Sequence, residues 1–431
     1  MQIMTATFED HPLRYALANE LHARPFPVIK APGRAAYLAL KPAQNAVGRD
    51  READRAHLIA LLDRFGASHP QPDATHYFGQ IGRHWLKWES HTEFVTYTIL
   101  GDGVADRPYD AATFGLFPTD WLESAPGTRM TSALIRIEPM PSDEDIIKRI
   151  DDWFVPESLA VSRMLDGELI VAGDFRIDSA GHMRFAIFAA EACGERRIGR
   201  VVQRLCEVET YKTMSMLGLA RARSIGPELG KLEQKLTALV TGMSNPEVDA
   251  ADTLQSLLDV SAGLEQLIAQ TSFRFGATGA YETIVNQRIS IMREERFGGR
   301  QTFGEFMMRR FDPAMRTVKS TEKRLNDLSE RAIRAGDLLR TRVDVERSAQ
   351  NQALLTSMDQ RSDLQLRLQR TVEGLSVVAI SYYALNLVLY VLAPVEKLFH
   401  IEKYWLYATV TPTVVIAVWL ILRRIQKSMH H

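Results

Sequence analysis

Two uncharged segments of membrane-spanning length near the end of the chain constrain the fold more than any other feature. Residues 375–393 carry no charged side chain and are rich in leucine, valine and alanine. As a helix rising about 1.5 Å per residue, this segment covers about 29 Å, close to the ~30 Å hydrocarbon core of a bilayer. Residues 404–422 form a second uncharged segment of similar length. The sequence therefore predicts a two-helix transmembrane hairpin over residues 375–422, with the lipid bilayer as its partner.

A long helix is predicted to lead into the first span, because no proline occurs between Pro313 and Pro394. We assign residues 314–374 to a stalk helix and expect Pro394 to end the first span, with a polar turn after it. The stalk carries an apolar seam with a roughly seven-residue rhythm, formed by Leu325, Leu328, Ala332, Ala335 and Leu339. Since one helix cannot cover its own seam, the sequence predicts a cyclic homo-oligomer.

The placement of positive side chains predicts the orientation of the hairpin. Arginines at positions 361, 367 and 370 precede the first span, Arg423, Arg424 and Lys427 follow the second, and the turn is balanced in charge. The positive-inside rule then puts both termini in the cytoplasm, with residues 423–431 as a cytoplasmic tail. The first ten residues lack a basic start and an apolar core, so no secretory signal is expected.

The residues before the stalk are predicted to form an α+β cytoplasmic domain (1–190) and a helical linker domain (191–313). Helices are expected over 10–24 and 50–65 and from residue 142, and strands over 35–40, 83–88, 93–100 and 133–138. From Glu195 onward only helices are predicted. Gly226 and Pro227 are expected to end the first of these helices and to start another.

A second β-hairpin is predicted over residues 169–177 and 182–188. Because side chains alternate along a strand, Phe175, Ile177, Phe185 and Ile187 are expected to face the core. The same alternation turns the side chains of Arg176 and Arg184 toward solvent.

The sequence contains none of the spacings that mark common catalytic sites. It has no phosphate-binding glycine loop, no nucleophile elbow and no zinc-type cysteine or histidine pair. Glu207 and Glu209 lie two residues apart on a predicted helix and face different ways, so they do not form a catalytic carboxylate pair. We therefore predict that the protein is not an enzyme and uses no cofactor.

Other candidate ligand residues are also better explained without a bound group. His11, Glu20 and His22 are too far apart along one helix to share a metal ion. An aromatic ligand box is one interpretation of His84, Trp85 and Trp88, but on a strand such residues more often form core or cross-strand contacts.

Composition limits the classes of partner and compartment. A formal net charge of −1 and a pI near 6.9 indicate no general attraction to nucleic acid. The two cysteines, Cys193 and Cys206, are predicted to be buried free thiols in a reducing compartment.

The first predicted span carries polar side chains along one face, which we call the polar stripe. Its members are Glu373, Ser376, Tyr383, Asn386 and Tyr390. Polar groups in hydrocarbon need partners or water, so this face is expected to turn toward other helices or an aqueous path. One interpretation is helix packing joined by Asn386 and tyrosine hydroxyls. The other is a pore wall built by several copies, with Glu373 forming an acidic ring at the cytoplasmic mouth.

This order of parts resembles the CorA-type magnesium channel family. In that family five long first-span helices line the pore, and a Tyr-Gly-Met-Asn signature ends that helix as the selectivity element. Here Tyr390 matches the tyrosine, while Val391, Leu392 and Ala393 stand where Gly-Met-Asn would be. The resemblance implies a pentamer that passes a metal cation. The departure from the signature implies weak selection for magnesium.

Short motifs also resemble a bacterial family of uncharacterised membrane-anchored proteins. The motifs are Asp10-His11-Pro12-Leu13-Arg14, Glu20-Leu21-His22-Ala23-Arg24-Pro25, Gly194-Glu195-Arg196-Arg197 and Glu207-Val208-Glu209-Thr210-Tyr211. This resemblance covers the whole chain and implies a bacterial inner-membrane protein without supplying catalytic residues. The resulting hypothesis is a CorA-like protein for ion passage. The alternative is a non-conducting scaffold or sensor whose stalk serves only to assemble copies.

Overall fold

A computed structural model of the chain describes residues 10–20, 26–43, 48–243, 245, 248–399 and 403–429. The chain forms two compact units. The first unit comprises Met1–Asn245 and Gln255–Ala335, and the second comprises Pro246–Leu254 and Gly336–His431. The division into five parts with boundaries near residues 190, 313, 374 and 422 stays a prediction.

The first unit is built on one mixed β-sheet. Within the described residues its strands are β1 (Gly33–Lys41), β2 (His76–Ile81), β3 (His84–Ser90), β4 (Val95–Asp102), β5 (Thr128–Pro139), β6 (Ala160–Met164), β7 (Leu169–Gly173), β8 (Met183–Ala189) and β9 (Glu295–Arg296). Their order in the sheet is β2-β3-β4-β1-β5-β8-β7-β6-β9. Strands β5 and β8 run parallel, and the other neighbouring pairs are antiparallel.

Helices flank the sheet and continue past it. The described helices are α1 (Arg14–Glu20), α2 (Arg51–Arg64), α3 (Thr119–Glu123), α4 (Asp143–Trp153), α5 (Glu195–Gly242), α6 (Ala250–Ile291), α7 (Phe303–Arg310), α8 (Asp312–Phe399) and α9 (Lys403–Met429). A short 3-10 helix, Ala111–Leu116, precedes α3. Helix α8 begins in the first unit and ends in the second.

Apolar side chains on both faces of the sheet form the core, and strand alternation decides which face each one joins. In β1, Tyr37 belongs to the cluster that includes Val201 and Leu205 of α5. Its neighbour Leu38 belongs to the opposite cluster, which includes Leu58 of α2. A third cluster packs α4 against the far end of the sheet. These layers confirm the predicted α+β class for this part of the chain.

Several elements predicted from the sequence are confirmed, together with the residues predicted to begin or join them. Helix α2 begins where expected, because the Asp50 carboxylate accepts the backbone N–H groups of Glu52 at 3.0 Å and Ala53 at 3.1 Å. Strands β3 and β4 form the predicted antiparallel hairpin, with Trp88 opposite Tyr97.

The second predicted hairpin is shorter than expected, and two of its side-chain assignments are wrong. Strand β7 ends at Gly173, and Ile177 is exposed rather than in the core. Arg184 does not face solvent, because its guanidinium forms an ion pair of 2.8 Å with the fully buried carboxylate of Asp174. The alternation itself holds, but α4 covers the face that Arg184 shares with Ala186 and Phe188, so this face is not solvated. Arg176 is exposed, as predicted, and its Nε donates to Ser158 Oγ at 2.7 Å.

Two prolines expected to end helices lie inside them. Helix α5 passes through Pro227, and α8 passes through Pro394 to Phe399. Proline removes one backbone hydrogen bond, but burial on both sides can hold the helix together. Around Pro227 this burial comes from Ile225 and Leu229.

The apolar seam of the stalk does not need a second copy to cover it. Its five residues, 325, 328, 332, 335 and 339, are at most 5% exposed in the single chain. In the first unit, α8 contacts α5 and α6, since Arg324 pairs with Glu233 of α5 and Ser329 Oγ donates to Glu265 of α6 at 3.0 Å. The seam is therefore an internal packing surface, and the expectation that it drives self-association is corrected.

Candidate functional site

Helices α8 and α9 each contain a segment that is long and apolar enough to span a membrane. The best 18-residue window of each has a mean hydropathy of 1.9, and only 6% of each window is buried within the chain. A core helix of a water-soluble protein would be mostly buried. The second unit therefore exposes two apolar segments, as the sequence predicted.

The polar stripe is most exposed at its two tyrosines. Tyr383 is 69% exposed and Tyr390 is 81% exposed. Ser381, two residues before Tyr383, is only 7% exposed. A helix turns about 100° per residue, so Ser381 and Tyr383 point to nearly opposite sides, while Tyr390, seven residues on, shares the side of Tyr383.

Each of the two apolar segments buries one of its described residues. Ser381 is the buried residue of the apolar part of α8, and Val418 is the buried residue of the described part of α9. The tyrosines of the stripe therefore point away from the side of α8 that buries Ser381.

The other three stripe residues are half-buried. Gln369 Nε2 donates at 2.9 Å to the carboxylate of Glu373, which lies two residues before the uncharged segment. The Ser376 hydroxyl donates to the carbonyl of Val372 at 2.8 Å. Asn386 lies at the edge of the exposed side. The structure thus places the five residues along one broad surface rather than on a single narrow line.

The residues in place of the Gly-Met-Asn signature continue α8 without a break. Val391 is exposed and Leu392 is half-buried. Ala393 is helical, and its side chain lies outside the described residues. This end of the stripe is therefore apolar.

A group of polar side chains that the sequence analysis did not single out lies in the first unit. On the sheet face covered by α5, strand β3 carries Lys87 and Glu89, and strand β4 carries Thr96 and Thr98. The alternating pattern of these strands is typical of a solvated face. Here α5 covers that face and encloses a small cavity of about 20 Å³, enough for one water molecule.

A chain of polar contacts crosses this cavity from the sheet to α6. The Lys87 ammonium pairs with Glu89 at 3.2 Å and donates to Gln203 at 2.7 Å. Gln203 in turn donates to Glu207 at 2.7 Å, and Glu207 pairs with Arg288. Each charge in the chain therefore meets a partner, which is what buried charges require.

Two further carboxylates are fully buried beside the cavity. Glu93 pairs with Arg274 and accepts the Tyr281 hydroxyl at 2.8 Å. Glu209 pairs with Lys212 at 2.7 Å. Glu207 and Glu209 therefore bind different partners and face different ways, as predicted.

The thiols and the phenol near this face are held in their neutral forms. Burial raises the pKa of Cys206 and of Tyr37. Burial together with the nearby Glu168 carboxylate raises the pKa of Cys193 to about 11. Both cysteines are buried and free, as expected, and neither is a thiolate nucleophile at neutral pH.

The aromatic candidates for a ligand box, His84, Trp85 and Trp88, are buried in the core or stack on a neighbouring strand. Trp88 and His84 are buried, and Trp85 stacks on Phe78 at 5.3 Å between ring centroids. These contacts confirm the core and cross-strand interpretation. Of His11, Glu20 and His22, which the sequence predicts not to share a metal ion, the third lies outside the described residues. Among the residues that the structure describes, no group of three or more histidine, cysteine or acidic side chains could hold a metal ion.

These features define a class of protein, an α+β body whose last helix continues into the first of two segments able to span a membrane. The chain belongs to the family described as "Protein of unknown function (DUF3422)", whose model matches residues 9–429. Comparisons with curated proteins and with solved structures find no match. Because the family match covers nearly the whole chain, the body and both apolar segments are parts of one family architecture.

Proposed function

We propose that this chain is a bacterial inner-membrane protein whose copies assemble through α8 and pass cations along the shared axis, in a CorA-like arrangement. The observation that carries the proposal is the exposure of Tyr383 and Tyr390 on the side of α8 opposite the buried Ser381. Both termini lie in the cytoplasm in this arrangement, with about ten residues outside.

The position of Tyr383 makes this exposure costly in a bilayer. Tyr383 is about 12 Å along the helix from Leu375 and about 15 Å from Ala393, so it lies near the middle of the hydrocarbon core. A tyrosine there cannot reach the headgroup region, unlike those of an interfacial belt. A hydroxyl in hydrocarbon without a partner is unfavourable. Another protein surface or an aqueous path would supply the missing partner.

A second copy of the same chain fits this requirement. All copies insert into the membrane in one orientation, so their α8 helices run parallel and place equivalent residues at the same depth. Tyr383 and Tyr390 of each copy then meet the same residues of its neighbours around a symmetry axis. Five copies is the number favoured by the resemblance to the CorA-type family.

The chemistry along the axis would favour weak passage of cations other than magnesium. Glu373 supplies negative potential at the cytoplasmic mouth, and Asn386 offers neutral oxygens farther along. The outer end presents Val391 and Leu392 instead of a polar ring. Magnesium gives up its waters reluctantly, so an apolar exit without hydrogen-bonding groups should pass it poorly.

Ion flux into liposomes containing the purified full chain tests this proposal. Glu373→Gln should reduce monovalent-cation flux severalfold because it removes the charge that concentrates cations, and Asn386→Leu should change the order of ion selectivity. Val378→Ala, on an exposed part of α8 away from the stripe, serves as the control and should leave flux unchanged. Robust magnesium flux that ignores both stripe substitutions would contradict the proposed path.

The second candidate is a non-conducting membrane-anchored sensor, and an open groove of about 260 Å³ in the first unit, lined by Arg51, Tyr211 and Tyr281, favours it. In this function the copies assemble through the same face of α8, and the body responds to a bound molecule. An oligomer that forms normally in liposomes yet passes no ion would support the sensor over the channel.

A further inference from the structure

An open groove in the first unit has the chemistry of an anion-binding site. It has a volume of about 260 Å³ and lies where β3 turns into β4, beside α5 and α6. Its polar rim is formed by Arg51, Thr75, Ser90 and Thr92. None of the residues that line it is acidic. The rim therefore offers hydrogen-bond donors and a positive charge, and it carries no carboxylate.

Arg51 is the charged group of this rim. It is exposed at the first position of α2 and forms no ion pair or hydrogen bond with the described part of the chain. Its neighbour Arg49 is used differently, because its guanidinium is buried, pairs with Asp54 at 2.9 Å and donates to Ser90 Oγ at 2.9 Å. Arg49 holds the turn in place, and Arg51 remains available to a ligand.

The hydroxyl groups of the rim can donate to the same ligand. Ser90 Oγ already accepts a hydrogen bond from Arg49, so its own proton points elsewhere. The side chains of Thr75 and Thr92 form no hydrogen bond with the residues that the structure describes. The Glu93 carboxylate, next to Phe94 in the chain, is fully buried and paired with Arg274. It therefore does not repel an anion in the groove.

The inner wall of the groove is aromatic. Tyr211 of α5 and Tyr281 of α6 lie 5.4 Å apart between ring centroids, and Phe94 lies 5.9 Å from Tyr211. His91 stacks on Phe94 at 4.4 Å, and Ile284 completes the wall. Such walls bind flat rings through stacking and edge contacts. The small cavity behind the wall holds only about one water, so a ligand stays in the groove.

We infer that this groove binds a small aryl anion, with its carboxylate or phosphate on Arg51 and the hydroxyls and its ring against Tyr211 and Tyr281. The volume is below the roughly 300–1,000 Å³ of sites for drug-sized ligands, which limits the ligand to about one ring. This inference does not depend on whether the membrane segments conduct ions.

Calorimetric titration of the full chain in detergent tests the inference with benzoate and phenyl phosphate as probes. Inorganic phosphate and phenol supply the anion and the ring separately. We expect the two aryl anions to bind more tightly than either part alone, and their relative affinities to distinguish a carboxylate from a phosphate ligand. No binding of either aryl anion at millimolar concentration would overturn the inference.

Three variants locate the site. Arg51→Gln should weaken binding of both aryl anions by about tenfold or more, because a charge-assisted hydrogen bond is lost. Arg223→Gln removes an exposed arginine of α5 outside the groove and should leave the affinity unchanged. Ile284→Trp should fill the groove, so that the affinity for both aryl anions falls while the affinity for inorganic phosphate is unchanged. Equal affinity in Arg51→Gln and the wild type would contradict the assignment.

Discussion

Replacing Arg274 by methionine is expected to destabilise the first unit by about 3–5 kcal/mol, because it leaves a fully buried carboxylate without its cation. The carboxylate is that of Glu93, to which Arg274 is paired, and the Tyr281 hydroxyl alone cannot neutralise it. Urea unfolding of the detergent-solubilised chain, followed by tryptophan fluorescence, measures the change. Four of the six tryptophans belong to the first unit, so the signal reports mainly on it.

A double variant separates loss of charge pairing from loss of packing. Glu93→Gln combined with Arg274→Met removes both charges and should recover a large part of the stability lost in Arg274→Met. If Arg274→Met unfolds at the same urea concentration as the wild type, the ion pair with Glu93 does not contribute to the stability of the first unit. If the double variant is less stable than Arg274→Met, the cost comes from packing.

Replacing Gly199 by alanine is expected to destabilise the first unit by about 1–3 kcal/mol or more, as other overpacked cores do. An added Cβ would overlap with the carbonyl oxygen of Pro27 and would lie 2.7 Å from its carbonyl carbon. These are backbone atoms, so no side-chain rotation relieves the overlap. The hydrogen bond from the Ile29 N–H to the Glu195 carbonyl, 3.3 Å long, ties the same two segments together.

Gly230 is the matched control because it lies in the same helix and an alanine methyl group there would meet open space. Gly230→Ala should raise the melting temperature, since alanine favours a helix by about 1 kcal/mol over glycine. A similar melting temperature for Gly199→Ala and the wild type would show that α5 can move away from Pro27 at little cost.

The sequence predicts the elements whose signals are local. Asp50 caps α2 through its own neighbours, and the alternation in β3 and β4 needs only the two strands. The uncharged segments are also visible directly, because hydrocarbon thickness sets their length.

What could not be predicted depends on contacts made far along the chain. The polar face that carries Lys87 and Glu89 resembles a solvated surface until α5 is placed over it. The stalk seam resembles an interface between copies until α5 and α6 are seen to cover it. Pro227 resembles a helix end until the burial of Ile225 and Leu229 is known. In each case tertiary packing outweighs the local signal.

The groove at Arg51 cannot be recognised from a sequence motif, because its residues come from distant parts of the chain. Its rim combines one residue of α2, one before β2 and two at the β3–β4 turn, and its wall adds side chains of α5 and α6. Only the Glu207–Tyr211 motif touches it, through Tyr211. Nothing in the local sequence pattern joins that motif to Arg51.

Disulfide cross-linking between copies tests the central claim most directly, because it asks which face of α8 meets another chain in the membrane. Tyr383→Cys and Val378→Cys are matched, since both native side chains are 69% exposed and they point about 140° apart on the helix. The native cysteines are buried and should contribute little background. Oxidation in native membranes is predicted to link Tyr383→Cys into covalent dimers and to leave Val378→Cys largely monomeric. Equal cross-linking of both variants, or none of Tyr383→Cys, would contradict assembly through the polar stripe.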